Sequence, residues 1–296
     1  IYRIADRYTV FRDGEMVGEG LIGETTQKQI VRMMVGRSVD HIFPGHKARI
    51  GAPILGVQGL SHPTEFDDIS FQLRQGEILG FYGLVGAGRS EVMQAIFGIT
   101  RPARGGITLD GRRIDPRSPA DAIEAGIVYV PEERGKQGVV IDLPIFQNIS
   151  LPSLRRTSRS GFLRLAKEFA LAREFTERLD LRAASLSQPA ATLSGGNQQK
   201  VVIAKWLATS PRVIILDEPT KGIDIGSKAA VHAFMGELVA QGLAVIMVSS
   251  ELPEILGMSD RVVVMREGRI VRVFDNAGLD PVTLVETAAG IAEKAA

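Results

Sequence analysis

From Gly51 onward, apolar β-prone runs alternate with stretches of helical periodicity, the pattern of a largely parallel sheet flanked by helices. Core strands are predicted at residues 78–82, 127–130, 213–216 and 244–248, with antiparallel additions near 54–57, 69–73 and 107–109. Ser118-Pro119-Ala120-Asp121 combines a capping hydroxyl, a proline suited to the first helical position and an acid in the first turn, so a helix begins there. Residues 162–181, rich in Arg and Ala, read as helical throughout and interrupt the alternation. They predict a helical subdomain inserted into the α/β core over about residues 145–208. The small residues of 287–296 predict a frayed end.

One repeat organises the chain. Asp6-Arg7 and Arg12-Asp13-Gly14 return, 254 residues later, as Asp260-Arg261 and Arg266-Glu267-Gly268. Each copy reads as a hairpin, because an acid-Gly pair sits between apolar β-prone runs and glycine supplies the positive φ of a tight turn. Such hairpins are common, but matching residues both before the strand and at the turn make coincidence a poor account. A single period of about domain length predicts a tandem parent. Residues 1–47 are then the tail of a preceding domain plus a linker, 48–280 a second domain and 281–296 a C-terminal tail. The chain opens on Ile1 with no basic flank, apolar run and small-residue cleavage site nearby, which fits a piece of something longer.

Composition narrows the classes. Hydrophobic residues at 45% and charged residues at 23% exclude a wholly disordered chain, and 296 residues suffice for one large core or two. Thirty-five Lys and Arg against 34 Asp and Glu give a charge of +1, too near zero for a non-specific polyanion binder. The longest uncharged apolar stretch, 78–88, is about half of the roughly twenty residues that a membrane-spanning helix needs, so no bilayer crossing is expected. With no cysteine there are no disulfides or thiolate metal sites, and the four histidines lack metal-ligand spacing.

Three elements carry chemistry. Gly83-Leu84-Val85-Gly86-Ala87-Gly88-Arg89-Ser90 follows a strand and precedes a helical run, the context of a phosphate-binding loop. Its glycines let backbone N–H groups close on phosphate oxygens, and Ser90 can ligate Mg²⁺. The usual lysine is Arg89, a planar fork on a longer stem that cannot lie between β and γ phosphates as an ammonium does. Glu91 adds a carboxylate nearby; at ~4 Å and an effective dielectric of ~20 its repulsion of phosphate is about 4 kcal/mol. Read alone, the stretch is also a Gly-rich strand-to-helix turn in which Glu91 complements the helix dipole. The second element, Asp217-Glu218, ends a buried strand: Asp217 suits water-mediated Mg²⁺ binding and Glu218 suits polarising an attacking water, although adjacent acids after a strand can be surface punctuation. The third, Ser194-Gly195-Gly196-Asn197, opens a helix, and ordinary capping by Ser194 would also account for it.

The loop, the Ser-Gly-Gly element and Asp217-Glu218, in this order and spacing, resemble an ATP-binding cassette domain over almost all of residues 51–275. That resemblance implies an α/β phosphate-loop ATPase core with an antiparallel β subdomain and an inserted helical subdomain, binding ATP and Mg²⁺ through Gly83, Val85, Gly86, Ala87, Gly88, Arg89, Ser90 and Glu91. Asn197 stands where the family most often has Gln. Glu132, in Val130-Pro131-Glu132-Glu133-Arg134, takes the place of a glutamine that contacts Mg²⁺ and the transport partner, so the implied metal set is Ser90, Glu132 and Asp217. Asp224 matches the acidic position that signals across the cassette dimer. Ser250 replaces the switch histidine and joins Glu218 as the implied catalytic pair, although serine cannot accept charge as imidazole does. His62 is the nearest candidate for stacking on adenine and also reads as a plain turn residue.

These spellings, with Glu218-Pro219-Thr220-Lys221-Gly222-Ile223-Asp224, resemble the second cassette of the tandem ATPases that drive bacterial importers of ribose, galactose, xylose and related sugars. The resemblance implies a peripheral subunit on the cytoplasmic face of the inner membrane. Its partners are the first cassette, a transmembrane permease and, indirectly, a periplasmic or extracellular sugar-binding protein, with no nucleic acid. Ser194, Gly195, Gly196 and Asn197 would complete the site on the first cassette, while Arg89, Glu91 and Ser250 would form a weaker site. The alternative is a catalytically degenerate binding and dimerisation module; with its own site weakened, this chain by itself is expected to hydrolyse ATP slowly or not at all. Arg155, Arg156, Arg159 and Arg164 cluster near the helical insertion, where a solvated face is the ordinary reading and a permease or headgroup contact the sharper one.

Overall fold

The computed structural model describes residues 4–12, 15–25, 29, 33, 43 and 49–291. In chain order the first strands are β1 (Arg7–Arg12), β2 (Glu15–Leu21), β3 (Pro53–Ser61), β4 (Ile69–Arg74), β5 (Ile78–Tyr82), β6 (Arg104–Leu109), β7 (Arg112–Ile114) and β8 (Ile127–Val130). They are followed by β9 (Ser158–Arg159), β10 (Phe162–Leu163), β11 (Val213–Asp217), β12 (Ala244–Val248), β13 (Arg261–Arg266) and β14 (Arg269–Asp275).

Continuous apolar runs become the centre of a six-stranded sheet in the order β14-β13-β5-β12-β11-β8, parallel except for β14. Every residue of β5, β8, β11 and β12 is buried, which is why these strands read as unbroken hydrophobic sequence. The alternating strands β4-β3-β6-β7 form a separate antiparallel sheet. It packs on one face of the parallel sheet, where Phe71 and Phe81 meet edge to face at 5.1 Å. Helices cover the other face, and Phe146 and Phe169 stack there at 4.2 Å.

The two copies of the repeat fold alike. β1 pairs with β2 and β13 with β14, and the register slips between Val10 and Phe11 in one copy and between Val264 and Met265 in the other, the same place in the repeat. The Glu267-Gly268 turn has positive φ at both residues, as a two-residue hairpin requires; Asp13 and Gly14 lie outside the described residues. The copies differ in what lies beside them. β13 pairs with β5 on its other edge, whereas β1 pairs with β2 alone among the described strands.

Two expectations need correction. Residues 162–181 are not helical throughout: Phe162 and Leu163 pair with Arg159 and Ser158, and the helix runs over Leu165–Arg178. The Ser160-Gly161 pair, with positive φ at both positions, favours the hairpin over an earlier helix start. Nor is Thr287 frayed. Pro281–Ala289 is a helix capped by Asp280, with Leu284, Thr287 and Ala288 buried; residues 292–296 lie outside the described set.

Candidate nucleotide site

The parallel sheet sets the site by bringing the C-terminal ends of β5, β12 and β11 side by side. The loop after β5 turns through Gly86 and Gly88, with φ of 81° and 89°, and Gly88 precedes the helix Arg89–Ile96. A Cβ on Gly83 would stand 2.4 Å from the Met265 carbonyl, so only glycine fits there. Val85 is 94% exposed at the loop tip, Ala87 is buried, and Glu91 lies in the first helical turn, where its charge complements the helix dipole. This geometry aims backbone N–H groups and a helix N-terminus at one point, as phosphate binding requires.

Ser90, one residue into that helix, donates from Oγ to Asp217 Oδ1 at 3.1 Å. Asp217 ends β11 completely buried, and Tyr129, on the neighbouring β8, donates to its Oδ2 at 2.7 Å. Burial pushes the Asp217 carboxyl up to about 6 against the opposing hydrogen bonds of Tyr129 and Ser90, with the charges of Glu218 and Glu132 adding to the rise. Tyr129 is raised above its ordinary value, first by burial and then by Asp217, and so stays a neutral donor. A hydroxyl and a carboxylate on adjacent elements fit a hard cation that keeps most of its shell for water and phosphate. Glu132 does not share the Ser90–Asp217 contact; its carboxylate pairs with Lys221.

Glu218 begins the turn after β11 with a left-handed φ of 47°. Ser250 donates to its Oε2 at 3.0 Å, so the two implied catalytic residues do meet. Arg89 is buried, and its guanidinium leaves the phosphate loop: it donates to the Ser249 carbonyl at 2.9 Å and stands 3.9 Å from Glu218 Oε1. Beneath them lies a group that sequence reasoning missed. Glu254 is buried and accepts from Ser249 and Thr220 while meeting His232 Nε2 at 2.7 Å. Burial works to raise its carboxyl, yet the bonds of His232, Ser249 and Thr220 hold it below the usual range. It ties the turn after β11 to the end of β12.

A second constellation surrounds the start of the helix Gly195–Leu207. Ser194 is exposed and caps that helix, accepting from the Asn197 backbone and side-chain amides, while Asn197 Oδ1 accepts from the Arg182 N–H at 3.0 Å. Gly196 lies so close to Ser227 that a Cβ would stand 2.3 Å from its Oγ. Asp224 caps the next helix, Ile225–Ala240, through Ser227, whose hydroxyl holds the Asp224 carboxyl below its usual range.

Arg134, quoted in the sequence only as a neighbour of Glu132, joins the two constellations. It donates to the Lys221 and Gly222 carbonyls at 2.8 and 3.0 Å and lies over Gly195. Nothing in its sequence position signals this, since the carbonyls are 87 and 88 residues away. His62 meets Glu65 at 3.4 Å and tilts against Phe66 at 5.7 Å.

Comparison with known proteins places this geometry. A family model described as ABC transporter matches residues 66–221. Ribose import ATP-binding protein RbsA 1 of Rhizobium meliloti (strain 1021) is 70% identical over 295 residues, covering 100% of this chain and 59% of that protein. Ribose import ATP-binding protein RbsA of Geobacillus kaustophilus (strain HTA426) is 44% identical over 290 residues, covering 98% and 59%. The chain thus spans less than two thirds of the length of these curated relatives. Among solved structures, the ADP conformation of MJ1267, an ATP-binding cassette of an ABC transporter, aligns with a TM-score of 0.67 at 22% identity, covering 81% of this chain and 99% of that one. A dimeric post-hydrolysis state of the cassette MJ0796, bound to ADP and Pi, aligns at 0.66 and 19% identity, covering 76% and 100%. These likenesses carry the fold, an α/β phosphate-loop cassette with an antiparallel sheet and helical parts. With more than half its length matched by the family model, the chain belongs to the ABC transporter family.

Proposed function

We propose that this chain is the second of two ATP-binding cassettes in a bacterial importer of a monosaccharide, ribose being the sugar in its relatives' name, and that it binds and hydrolyses Mg-ATP. The observation that carries the reading is the convergence of Ser90, Asp217, Glu218 and Ser250 on strand ends beside the phosphate loop. Residues 1–47 are the end of a first cassette plus a linker, 48–280 the second cassette and 281–296 its C-terminal segment. Support comes from the matched hairpins. Phe11 is 66% exposed where its counterpart Met265 is buried, as expected if β1 lacks a neighbour that β13 has in β5. The partners are the first cassette, a transmembrane permease and, through it, a sugar-binding protein, which puts the chain peripherally on the cytoplasmic face of the inner membrane. No helix among the described residues is long and apolar enough to cross a membrane.

In this reading the loop amides from Gly83 to Ser90 hold the phosphates, and Ser90 and Asp217 hold the Mg²⁺ that arrives with the nucleotide. The ion, when bound, neutralises phosphate charge. Glu218 orients the attacking water, and Ser250 fixes the carboxylate by its bond to Oε2. Ser194, Gly195, Gly196 and Asn197 present helix N–H groups to the nucleotide of the first cassette, and Asp224 carries the signal between the halves.

One observation favours a second reading, a binding and dimerisation module that no longer turns over. Both Glu218 oxygens are engaged, Oε1 facing Arg89 and Oε2 accepting from Ser250. Mg-ATP affinity and steady-state turnover, measured beside Glu218→Gln and Arg89→Lys, separate the two. If the site works, Glu218→Gln lowers turnover at least about a hundredfold with affinity kept. Tight binding without turnover, in wild type and Arg89→Lys alike, would leave only the second reading.

A further inference from the structure

The 25 residues between Asp142 and Glu168 contain no acid, yet they carry Arg155, Arg156, Arg159, Arg164 and Lys167 in a chain whose net charge is +1. In the fold the last part of this run forms a short hairpin. β9 and β10 pair through the Ser160-Gly161 turn, and the Arg164 N–H closes the base on the Thr157 carbonyl. The base is anchored. Thr157 is buried, Arg156 donates to the Ala208 carbonyl and to Ser210 Oγ, and Ser150 bonds the buried Glu168. Glu168 is thereby withdrawn from the surface that the remaining cations share.

The hairpin and the helix start after it expose apolar side chains. Phe162 is 79% exposed and Leu163 56% on the hairpin, and Leu165, the first residue of the helix, 57%; Arg155, Arg159, Arg164 and Lys167 of the same stretch are exposed as well. Solvation alone accounts for the arginines but not for a phenylalanine and two leucines beside them. Arg164 and Lys167 also stand at the N-terminal end of the helix Leu165–Arg178, where the dipole opposes cations. An anionic surface relieves that repulsion and takes up the exposed apolar side chains in one contact.

We propose that this hairpin docks on the anionic headgroups of a lipid bilayer, with Phe162, Leu163 and Leu165 entering the headgroup boundary and Arg155, Arg159, Arg164 and Lys167 meeting lipid phosphates. The contact goes beyond the proposed function, in which the permease alone holds the chain at the membrane. Charge complementarity is what selects lipid: the run from residue 143 to 167 offers exposed cations without an acid, beside exposed apolar side chains.

The full chain is tested by co-sedimentation with vesicles of phosphatidylcholine alone and of phosphatidylcholine mixed with phosphatidylglycerol. Binding is expected only to the anionic vesicles, weakened by salt, and reduced about tenfold or more in the double variant Arg159→Glu, Arg164→Glu and also in Phe162→Ser. These positions are exposed, and a thermal unfolding curve identifies any variant that has lost its fold. The chain has no cysteine, so Phe162→Cys carrying an environment-sensitive fluorophore gives a readout independent of the charge variants. Its emission should shift to the blue with anionic vesicles and not with neutral ones. Equal binding to both vesicles, an unshifted label, or pelleting with permease-containing membranes but not with phosphatidylglycerol would each overturn the proposal; the last outcome would leave the importer reading intact.

Discussion

The phosphate-loop end of this molecule and the Ser-Gly-Gly edge are built in opposite ways. At the ends of β5, β11 and β12 the chemical side chains hold one another: Ser90 and Tyr129 converge on Asp217, and Arg89 and Ser250 on Glu218. At the start of the helix Gly195–Leu207 the arrangement is steric, with two glycines packed beneath Arg134 and Ser227 and an exposed Ser194 capping the turn. The first region departs from its family's spelling at Arg89 and Ser250, and those are the residues engaged with Glu218. The second departs only at Asn197, which still bonds Ser194. One end is thus held by interacting polar side chains and the other by close packing of backbone, so substitutions at the two should fail in different ways.

The sharpest way to break this contrast is Asp217→Asn. Because the folded carboxyl sits at about 6, above its unfolded value of 3.8, the folded state holds the proton more tightly. Stability from this group is therefore fully present below about pH 4 and lost as pH rises through about 6. The amide keeps an oxygen for Tyr129 and turns its NH₂ toward Ser90. Asp217→Asn should raise the thermal midpoint at neutral pH and flatten its dependence between those values. Mg-dependent nucleotide affinity should fall roughly a hundredfold, the upper end of what supporting residues of metal sites cost. In the wild type that affinity should weaken about tenfold per pH unit below about 6, as protons compete for the carboxylate. Unchanged Mg-dependent binding in the variant would remove Asp217 from the site.

A smaller effect is expected at the other edge. Gly196→Val sets a Cβ within 2.3 Å of Ser227 Oγ and 2.8 Å of its Cβ, and Ser227 cannot yield freely because Asp224 holds its hydroxyl at 2.6 Å. Overpacking of this kind costs about 1–3 kcal/mol. The displaced helix start should lower ATP turnover about tenfold in a protein carrying both cassettes, with nucleotide affinity at this chain's own loop changed less than about twofold. Equal losses in both quantities would mean that the two ends are not separable. Gly195→Ala is the milder companion: its Cβ would stand 2.7 Å from the end of the Arg134 side chain, which can shift more readily than backbone but only by straining its bonds to the Lys221 and Gly222 carbonyls.

How much of this was legible follows from what each element contacts. The buried strands announce themselves because neither face of β5, β8, β11 or β12 sees water, so no polar residue interrupts them. The loop, Asp217-Glu218 and Ser194-Gly195-Gly196 are local spellings with local geometry: the fold brings the loop's Ser90 against Asp217 and makes Ser194 a helix cap. Long-range partners have no such signature. The path of Arg89 to Ser249 spans 160 residues, and the Glu254 carboxylate draws on Thr220 and Ser249 from two separate turns and on His232 from a helix. One signal was available and passed over: Asp280-Pro281 repeats the cap-and-proline logic of Ser118-Pro119, and a helix does start there. The Phe162 hairpin was hidden by Ser160-Gly161, a two-residue turn inside an otherwise helical composition.

The smallest effect tests the joint between the two regions. Arg134 reaches from the Glu132 segment to the carbonyls of Lys221 and Gly222, and Lys221 in turn pairs with Glu132, so the turn after β11 is held from both sides. Arg134→Ala leaves those carbonyls to water, which is accessible at this half-buried position, and removes the cover of Gly195. Two charge-assisted bonds in such a setting are together worth about 2 kcal/mol. That value should appear as a lower urea midpoint at unchanged slope. Arg134→Lys keeps the charge but cannot reach two carbonyls at once with a planar fork, so it should recover less than half of the loss. If Lys restores the midpoint fully, charge rather than geometry joins the two ends. Their coupling would then be screened by salt, whereas the forked pair of bonds predicts a midpoint difference that persists as salt is raised.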